Sequence, residues 1–259
     1  MANTEEEVLV LKEIIKKTYV TLFEVDAEQI LVVDWHAVTP DNRLDFQGVK
    51  ELSEVLDEVE KRIDLPSGIR GLIFTAGRRK HFSNGFDLAN LAKLPMDEDR
   101  EHFVQGFAQL LARILTLPIQ TVACVNGHAY GGGLVLAAAF DIIVMNQERG
   151  WLCMPAISLG ITLPRGLLEV LRRRLSHSHH LLNEVIYQGQ QFSARDALSK
   201  GIIEDIAPLD QLLATGMKKF PPSPLNVKSL KTTKMRLHHN LLALLENTTD
   251  GTPGLHSSL

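Results

Sequence analysis

The residues best placed to do chemistry are the run Asn126-Gly127-His128-Ala129-Tyr130-Gly131-Gly132-Gly133, which follows a short apolar segment and opens directly into Leu134-Val135-Leu136-Ala137-Ala138-Ala139. Glycines remove the Cβ atoms that would keep a ligand away from the main chain, and the unsatisfied N–H groups at a helix start favour developing negative charge. This describes one half of an anion hole. Phosphate-binding alternatives fail on residue types. No Lys-Ser/Thr follows the glycines as a P-loop requires, and Leu136 stands where a third glycine of a dinucleotide fingerprint would be. Tight packing of a helix on a sheet explains any one of these glycines, but explains Gly131-Gly132-Gly133 in a row poorly. A second loop, His81-Phe82-Ser83-Asn84-Gly85-Phe86-Asp87-Leu88, lies upstream after another apolar segment. Together the two loops meet the requirement of a split oxyanion hole, one N–H from each converging on one oxygen.

Elements on either side must hold those loops. Ile69 to Thr75, Thr121 to Val125 and Asp141 to Met145 read as buried strands, and residues 100–116 as an amphipathic helix. Leu52, Val55, Leu56 and Val59 recur at helical spacing before Pro66-Ser67-Gly68 ends the run. Residues 19–25 and 30–35 read as an antiparallel hairpin. Thr4 with Glu7 has capping-box spacing and Lys12, Lys16 and Lys17 suit a helix end, so residues 4–17 are expected to be helical. The β-then-α alternation implies an α/β fold with largely parallel strands, with ligands bound where the strands' carboxyl ends open into loops. From about Arg165 the chain reads as mostly helical, and Pro221-Pro222-Ser223-Pro224 precedes a last helix from Asn226 to about Glu246. The expected organisation is an N-terminal helical extension over 1–18, a core over 19–205 and a helical C-terminal region over 206–259.

Composition narrows the partners. The 27 Lys+Arg against 31 Asp+Glu, a net charge of −4, point to neither a nucleic-acid surface nor a polyanionic tail. The 45% hydrophobic and 22% charged content is that of a soluble globular chain. Cys124 and Cys153 alone make no disulfide framework, and no Cys/His spacing reads as a zinc site, so no metal is expected. Apolar runs break well before a bilayer-length stretch, and the acidic N-terminus is unlike a secretory or mitochondrial signal, so the expectation is an intracellular protein without a membrane anchor. Ser257-Ser258-Leu259 is similar to the Ser-Lys-Leu peroxisomal address but lacks its basic middle residue. A peroxisomal or glycosomal location and a cytoplasmic one both remain open.

Phe82 to Leu88, Val125 to Gly133, Pro155-Ala156-Ile157-Ser158-Leu159-Gly160 and Phe192 to Gly201, in that order, resemble the crotonase (enoyl-CoA hydratase/isomerase) superfamily over about Ile30 to Leu212. Phe82 to Leu88 is especially similar to the plant-type peroxisomal Δ3-Δ2-enoyl-CoA isomerases. The resemblance implies a crotonase (ClpP-like) ββα spiral with a helical C-terminal trimerisation region, forming a homotrimer or a dimer of trimers. It implies an acyl-CoA thioester as ligand, coenzyme A entering as part of the substrate and no tightly bound cofactor. Carried onto this chain, the oxyanion-hole amides are those of Asn84 and Gly132, which would stabilise a thioester enolate.

The family's acids do not carry over. The hydratase glutamate falls on Val135, the second hydratase or isomerase glutamate on Ala156 and a third slot on Pro164, beside Arg165. Hydration usually needs two positioned acid-base groups, which argues against an ordinary hydratase, whereas isomerisation needs one. Substitute bases are Tyr130 and Glu169, with Glu101 and His102 behind them; each also reads as a packed or solvated residue. For coenzyme A the candidates are Arg43, Asp87, Leu88 and Lys231, with Lys228. His128, Asp87 and Asp141 also read as structural, and His177, His179 and His180 as a basic helix terminus rather than a metal site. Three functions follow: an enoyl-CoA isomerase of fatty-acid β-oxidation, a catalytically impaired acyl-CoA-binding or scaffold subunit, or an acyl-CoA thioesterase or decarboxylase.

Overall fold

The computed structural model describes residues 10–65, 68–94 and 97–247. Its frame is a seven-stranded sheet in the order β1-β2-β3-β4-β6-β8-β10. These strands are Lys12–Lys16, Val20–Val25, Ile30–Trp35, Gly71–Thr75, Gln120–Val125, Ile142–Asn146 and Asp205–Ala207. The β1, β2 and β3 pairs are antiparallel, and every pair from β3 onward is parallel. Both faces of the sheet are covered, so the central strands read as continuous apolar runs. Leu31, Val33, Leu72, Phe74, Ala123 and Val125 join one core. Alternate residues Ile30, Val32, Ile73, Val122 and Cys124 join a second core on the other face.

The larger core lies beneath α1 (Phe46–Ile63), α3 (Asp97–Thr116) and α4 (Gly132–Ala138). Helix α1 begins where the Asp45 carboxylate accepts the Gly48 N–H at 2.8 Å, and it buries Val49, Leu52, Val55, Leu56, Val59 and Ile63 along one stripe. The second face is closed by Leu212 and Met217 of α8 (Leu212–Met217) and by Phe220. Burial pushes the Cys124 thiol there up to about 12, so it is a packing group and not a nucleophile.

A smaller parallel sheet, β5-β7-β9, is made from His81–Ser83, His128–Tyr130 and Leu152–Cys153. The sequence reads the first two of these segments as loop, because three residues are too few to show a period. They pull the two glycine-containing turns together. A Cβ on Gly85, whose φ is +82°, would lie 2.7 Å from the Tyr130 carbonyl oxygen and 3.0 Å from the Gly132 nitrogen. Only glycine fits there.

Two expectations are corrected. Residues 12–16 are strand, not helix: Ile14 and Ile15 pack on the core while β1 pairs with β2, so tertiary pairing overrides the lysine pattern. Thr4 and Glu7 lie outside the described residues, as do Pro66, Ser67 and Ser257 to Leu259. From Arg165 onward the described chain is mostly helical, as the sequence suggests, with one strand among the helices. After α5 (Arg165–Leu175), α6 (His179–Leu182), a π-helical turn over Asn183–Tyr187 and α7 (Ala194–Ser199), the short strand β10 completes the main sheet. The last helix is two, α9 (Val227–Leu237) and α10 (His239–Glu246), broken at His238, whose backbone is non-helical (φ −103°, ψ 11°). The remaining helix, α2 (Leu88–Leu91), is a single turn after the first loop.

Two predictions follow. His238 is buried, and desolvation with the nearby Arg173 and Lys234 cations pushes its pKa down to about 4. The unfolded chain binds the proton near the ordinary value of ~6.5, so stability falls as pH drops from about 6.5 to about 4, by on the order of 3 kcal/mol. Thermal unfolding across that range should show this loss, and His238→Gln should flatten it. Gly85→Ala should lose about 1–3 kcal/mol from backbone strain alone, read as a lower urea midpoint at unchanged slope.

Candidate functional site

The meeting turns form one wall of a cavity of about 290 Å³. Asn84, Tyr130, Gly132, Val135, Ala156, Pro164, Arg43 and Leu88, all singled out in the sequence, line it. The rest of the wall is mainly apolar, with Phe86, Val104, Met154, Leu159, Ile161, Leu163 and Leu167. It sits at the carboxyl ends of β4 and β6, where α/β sheets place ligands.

Buried amide side chains hold the turns in place. Asn42 accepts the Ala37 N–H at 2.6 Å and donates to the Phe82 carbonyl at 2.8 Å, tying the segment after β3 to the first loop. Asn126 accepts the Ala76 N–H at 3.2 Å and donates to the Arg79 carbonyl at 2.7 Å, while its own carbonyl takes the Asn146 side-chain amide at 3.0 Å. An amide can donate and accept at once, which suits a residue that must stitch two backbone strands.

The two candidate N–H groups differ in state. Gly132 opens α4, and its N–H has no acceptor among the described residues. The Asn84 N–H donates to the Asp41 carbonyl at 3.1 Å. The Asn84 side-chain amide also donates to the Asp41 carboxylate at 2.8 Å, which takes the Arg43 Nε–H at the same distance. Burial raises the Asp41 pKa, but the hydrogen bonds from Arg43 and Asn84 outweigh it, and the carboxyl lies below its ordinary value. Sequence reasoning missed Asp41. Thr39-Pro40-Asp41-Asn42 signals a turn, but nothing local says that its acid meets Asn84.

No carboxylate among the described residues lines the cavity: Val135, Ala156 and Pro164 stand on its wall as apolar residues. Burial, followed by Cys153, raises the Tyr130 pKa, so its hydroxyl is protonated at neutral pH and donates rather than abstracts. Other candidates lie elsewhere. Glu169 is not among the residues that line the cavity and is held by Arg172 at 2.6 Å. His102 stacks on Phe46, and it and Glu101 are exposed on α3. Asp87 is buried and caps α2, accepting the Asn90 backbone and side-chain amides at 3.2 and 2.6 Å, so its role is to fix the turn. Lys231 and Lys228 are exposed on α9 and do not line the cavity.

His128 packs its ring against His81, centroids 5.0 Å apart, and burial lowers both pKa values. His177 meets the Lys200 carbonyl at 3.0 Å and His180 meets Glu184 at 3.2 Å. No group of three or more metal-ligating side chains occurs among the described residues. Nor is any helix among them long and apolar enough to cross a membrane.

Comparison with known proteins agrees with this arrangement. The profile of the family described as enoyl-CoA hydratase/isomerase matches residues 26–246. Peroxisomal enoyl-CoA delta isomerase 2 of Arabidopsis thaliana is 31% identical over 140 residues, 52% of this chain and 58% of that protein. The chain thus spans little more than half the length of this curated relative. An enoyl-CoA hydratase from Mycobacterium ulcerans superposes with a TM-score of 0.77 over 90% of this chain and 96% of that one, at 24% identity. Human mitochondrial delta3-delta2-enoyl-CoA isomerase gives 0.74 over 90% and 93%, at 18% identity. Those two likenesses are of fold. The parallel sheet, the paired turns and the profile match across most of the chain lead to one assignment: the protein belongs to the enoyl-CoA hydratase/isomerase family and has the crotonase fold.

Proposed function

We propose that this chain binds an acyl-CoA thioester and carries out enoyl-CoA isomerase-type chemistry through a thioester enolate. The observation that carries the reading is the Gly132 N–H, without an acceptor among the described residues, beside the Asn84–Gly85 turn on the wall of an apolar cavity. The thioester oxygen sits on that N–H and shares the Asn84 N–H with the Asp41 carbonyl in a three-centre bond. As the α-proton leaves, negative charge moves onto this oxygen, and a donor fixed there stabilises the enolate more than the ground state. The cavity lies near the lower end of ordinary ligand pockets, ~300–1,000 Å³. It holds the acyl end, with coenzyme A running outward past Arg43.

Water takes the α-proton, Tyr130, which lines the cavity, delivers its own hydroxyl proton to the far carbon, and the hydronium formed in the first step returns a proton to the tyrosinate, so that one proton has moved from the α-carbon to the far carbon. Turnover is therefore slow compared with a site that holds a carboxylate. A second reading is favoured by the apolar residues at Val135, Ala156 and Pro164: a subunit that binds the thioester without turning it over. A homotrimer and, by the name of the Arabidopsis relative, a peroxisomal setting belong to the same proposal; sedimentation and fractionation test them.

Incubation with a 3-enoyl-CoA in D₂O separates the readings. Deuterium at the α-carbon above a protein-free control supports enolate formation, and saturable binding without exchange supports the carrier. Gly132→Pro and Gly132→Ala both place a Cβ 2.7 Å from the Phe86 ring, but only proline removes the N–H. Exchange should be ~10²–10³-fold slower in the proline variant than in the alanine variant. Ala156→Glu puts a carboxyl on the apolar wall. Isomerisation should rise, with an apparent pKa above the ordinary ~4.3 because of desolvation; a variant that binds ligand and stays inert counts against the placement of the base.

A further inference from the structure

A second cavity, of about 640 Å³, opens at the other ends of the strands, between Gln120 and Asp141, the end of α5 and α9. Three cations line it. The Lys234 side chain is 8% exposed and meets the Asp141 carboxylate at 2.6 Å. The Arg174 side chain is 7% exposed and pairs with Glu204, itself 41% exposed. Arg173 makes no ion pair among the described residues; it donates to the carbonyls of Ala138 at 3.1 Å and Phe140 at 3.4 Å. His238, on the same wall, is neutral at pH 7. Among the described residues, three cations therefore face two carboxylates, and the Arg174 Nε–H is buried without an acceptor.

Capping of the α4 carbonyls accounts for the contacts of Arg173 with Ala138 and Phe140. It leaves the excess charge unexplained, since buried charges are normally paired. Desolvation, then Arg174, pulls the Arg173 pKa down to about 10, the direction expected of a cation short of counter-charge.

We propose that this cavity is a binding site for a compact oxyanion, a phosphate or carboxylate group, that supplies the missing counter-charge to Arg173. A guanidinium's planar fork suits either group. Leu225, Leu230 and Leu237 on the wall give the rest of the ligand an apolar surface. The site is separate from the acyl cavity by the length of β6, ~20 Å at ~3.3 Å per residue, so it stands or falls apart from the thioester reading.

The test titrates inorganic phosphate, and separately acetate, into the full chain at constant ionic strength with chloride as the balancing anion. The readouts are the unfolding midpoint and the ring resonances of His238. A saturable rise in midpoint with a shift at His238 is expected, and the ion that saturates at lower concentration identifies the group. Arg173→Gln should abolish the response. Because that variant also loses helix capping, Glu204→Gln carries the decision: removing a competing carboxylate should tighten binding by ~3–10-fold, a gain that misfolding cannot imitate. No response beyond chloride, an unmoved His238, or an affinity unchanged by Glu204→Gln overturns the proposal.

Discussion

The site exists because two stretches of main chain approach more closely than side chains allow. Gly85 lies against the Tyr130 carbonyl and the Gly132 nitrogen, with no space for a Cβ between them. Such an approach brings polar backbone groups into a buried region, where each needs a partner. Asn42, Asn126 and Asn146 supply those partners, each buried and each reaching the backbone of another segment. Glycine permits the contact and the asparagines hold it. The small β5-β7-β9 sheet is the outcome: three short strands that would have no stability alone, kept in register by the turns they carry.

What that frame presents to a ligand is unbalanced. It offers hydrogen-bond donors, from the main chain, from Tyr130 and from Arg43, against walls that are otherwise largely apolar. Electrostatic stabilisation is strong in such surroundings because little solvent competes with the donors. The same surroundings penalise a free carboxylate, yet a proton acceptor is what enolate chemistry needs most. Asp41, the nearby acid, is occupied by Arg43 and Asn84 and held below its usual pKa, so it is a weak base tied to the frame. On the proposed function, polarising a thioester and deprotonating it are thus separable tasks, and the donors on this wall suit the first.

Much of the frame is legible in the sequence. The apolar runs of β3, β4, β6 and β8 announce buried strands, and the stripe from Leu52 to Val59 announces a helix over them, since burial on two faces or on one leaves different periods. Legibility fails where an element owes its form to partners distant in sequence. Lys12–Lys16 carries helix-like charges and becomes an edge strand because β2 is beside it. Asp205–Ala207 is too short to show a pattern and is a strand because β8 offers it hydrogen bonds. His238 interrupts what reads as one helix, and its ring is buried near the Arg173 and Asp141 charges.

The site divides along the same line. Asn84 and Gly132 stand out because glycine runs after strands restrict what the backbone can do, and the apolar residues at Val135 and Ala156 stand out by comparison with a known pattern. Asp41 does not, because its meaning lies in a contact across 43 residues. The cationic cavity is harder still. Arg172-Arg173-Arg174 reads as an ordinary basic helix end, and for Arg172, which is exposed, it is one. Only the fold brings Arg173 and Arg174 of α5 and Lys234 of α9 to the wall of one cavity. A run of three like residues gives one signal in the sequence, and the fold divides it between solvent and interior.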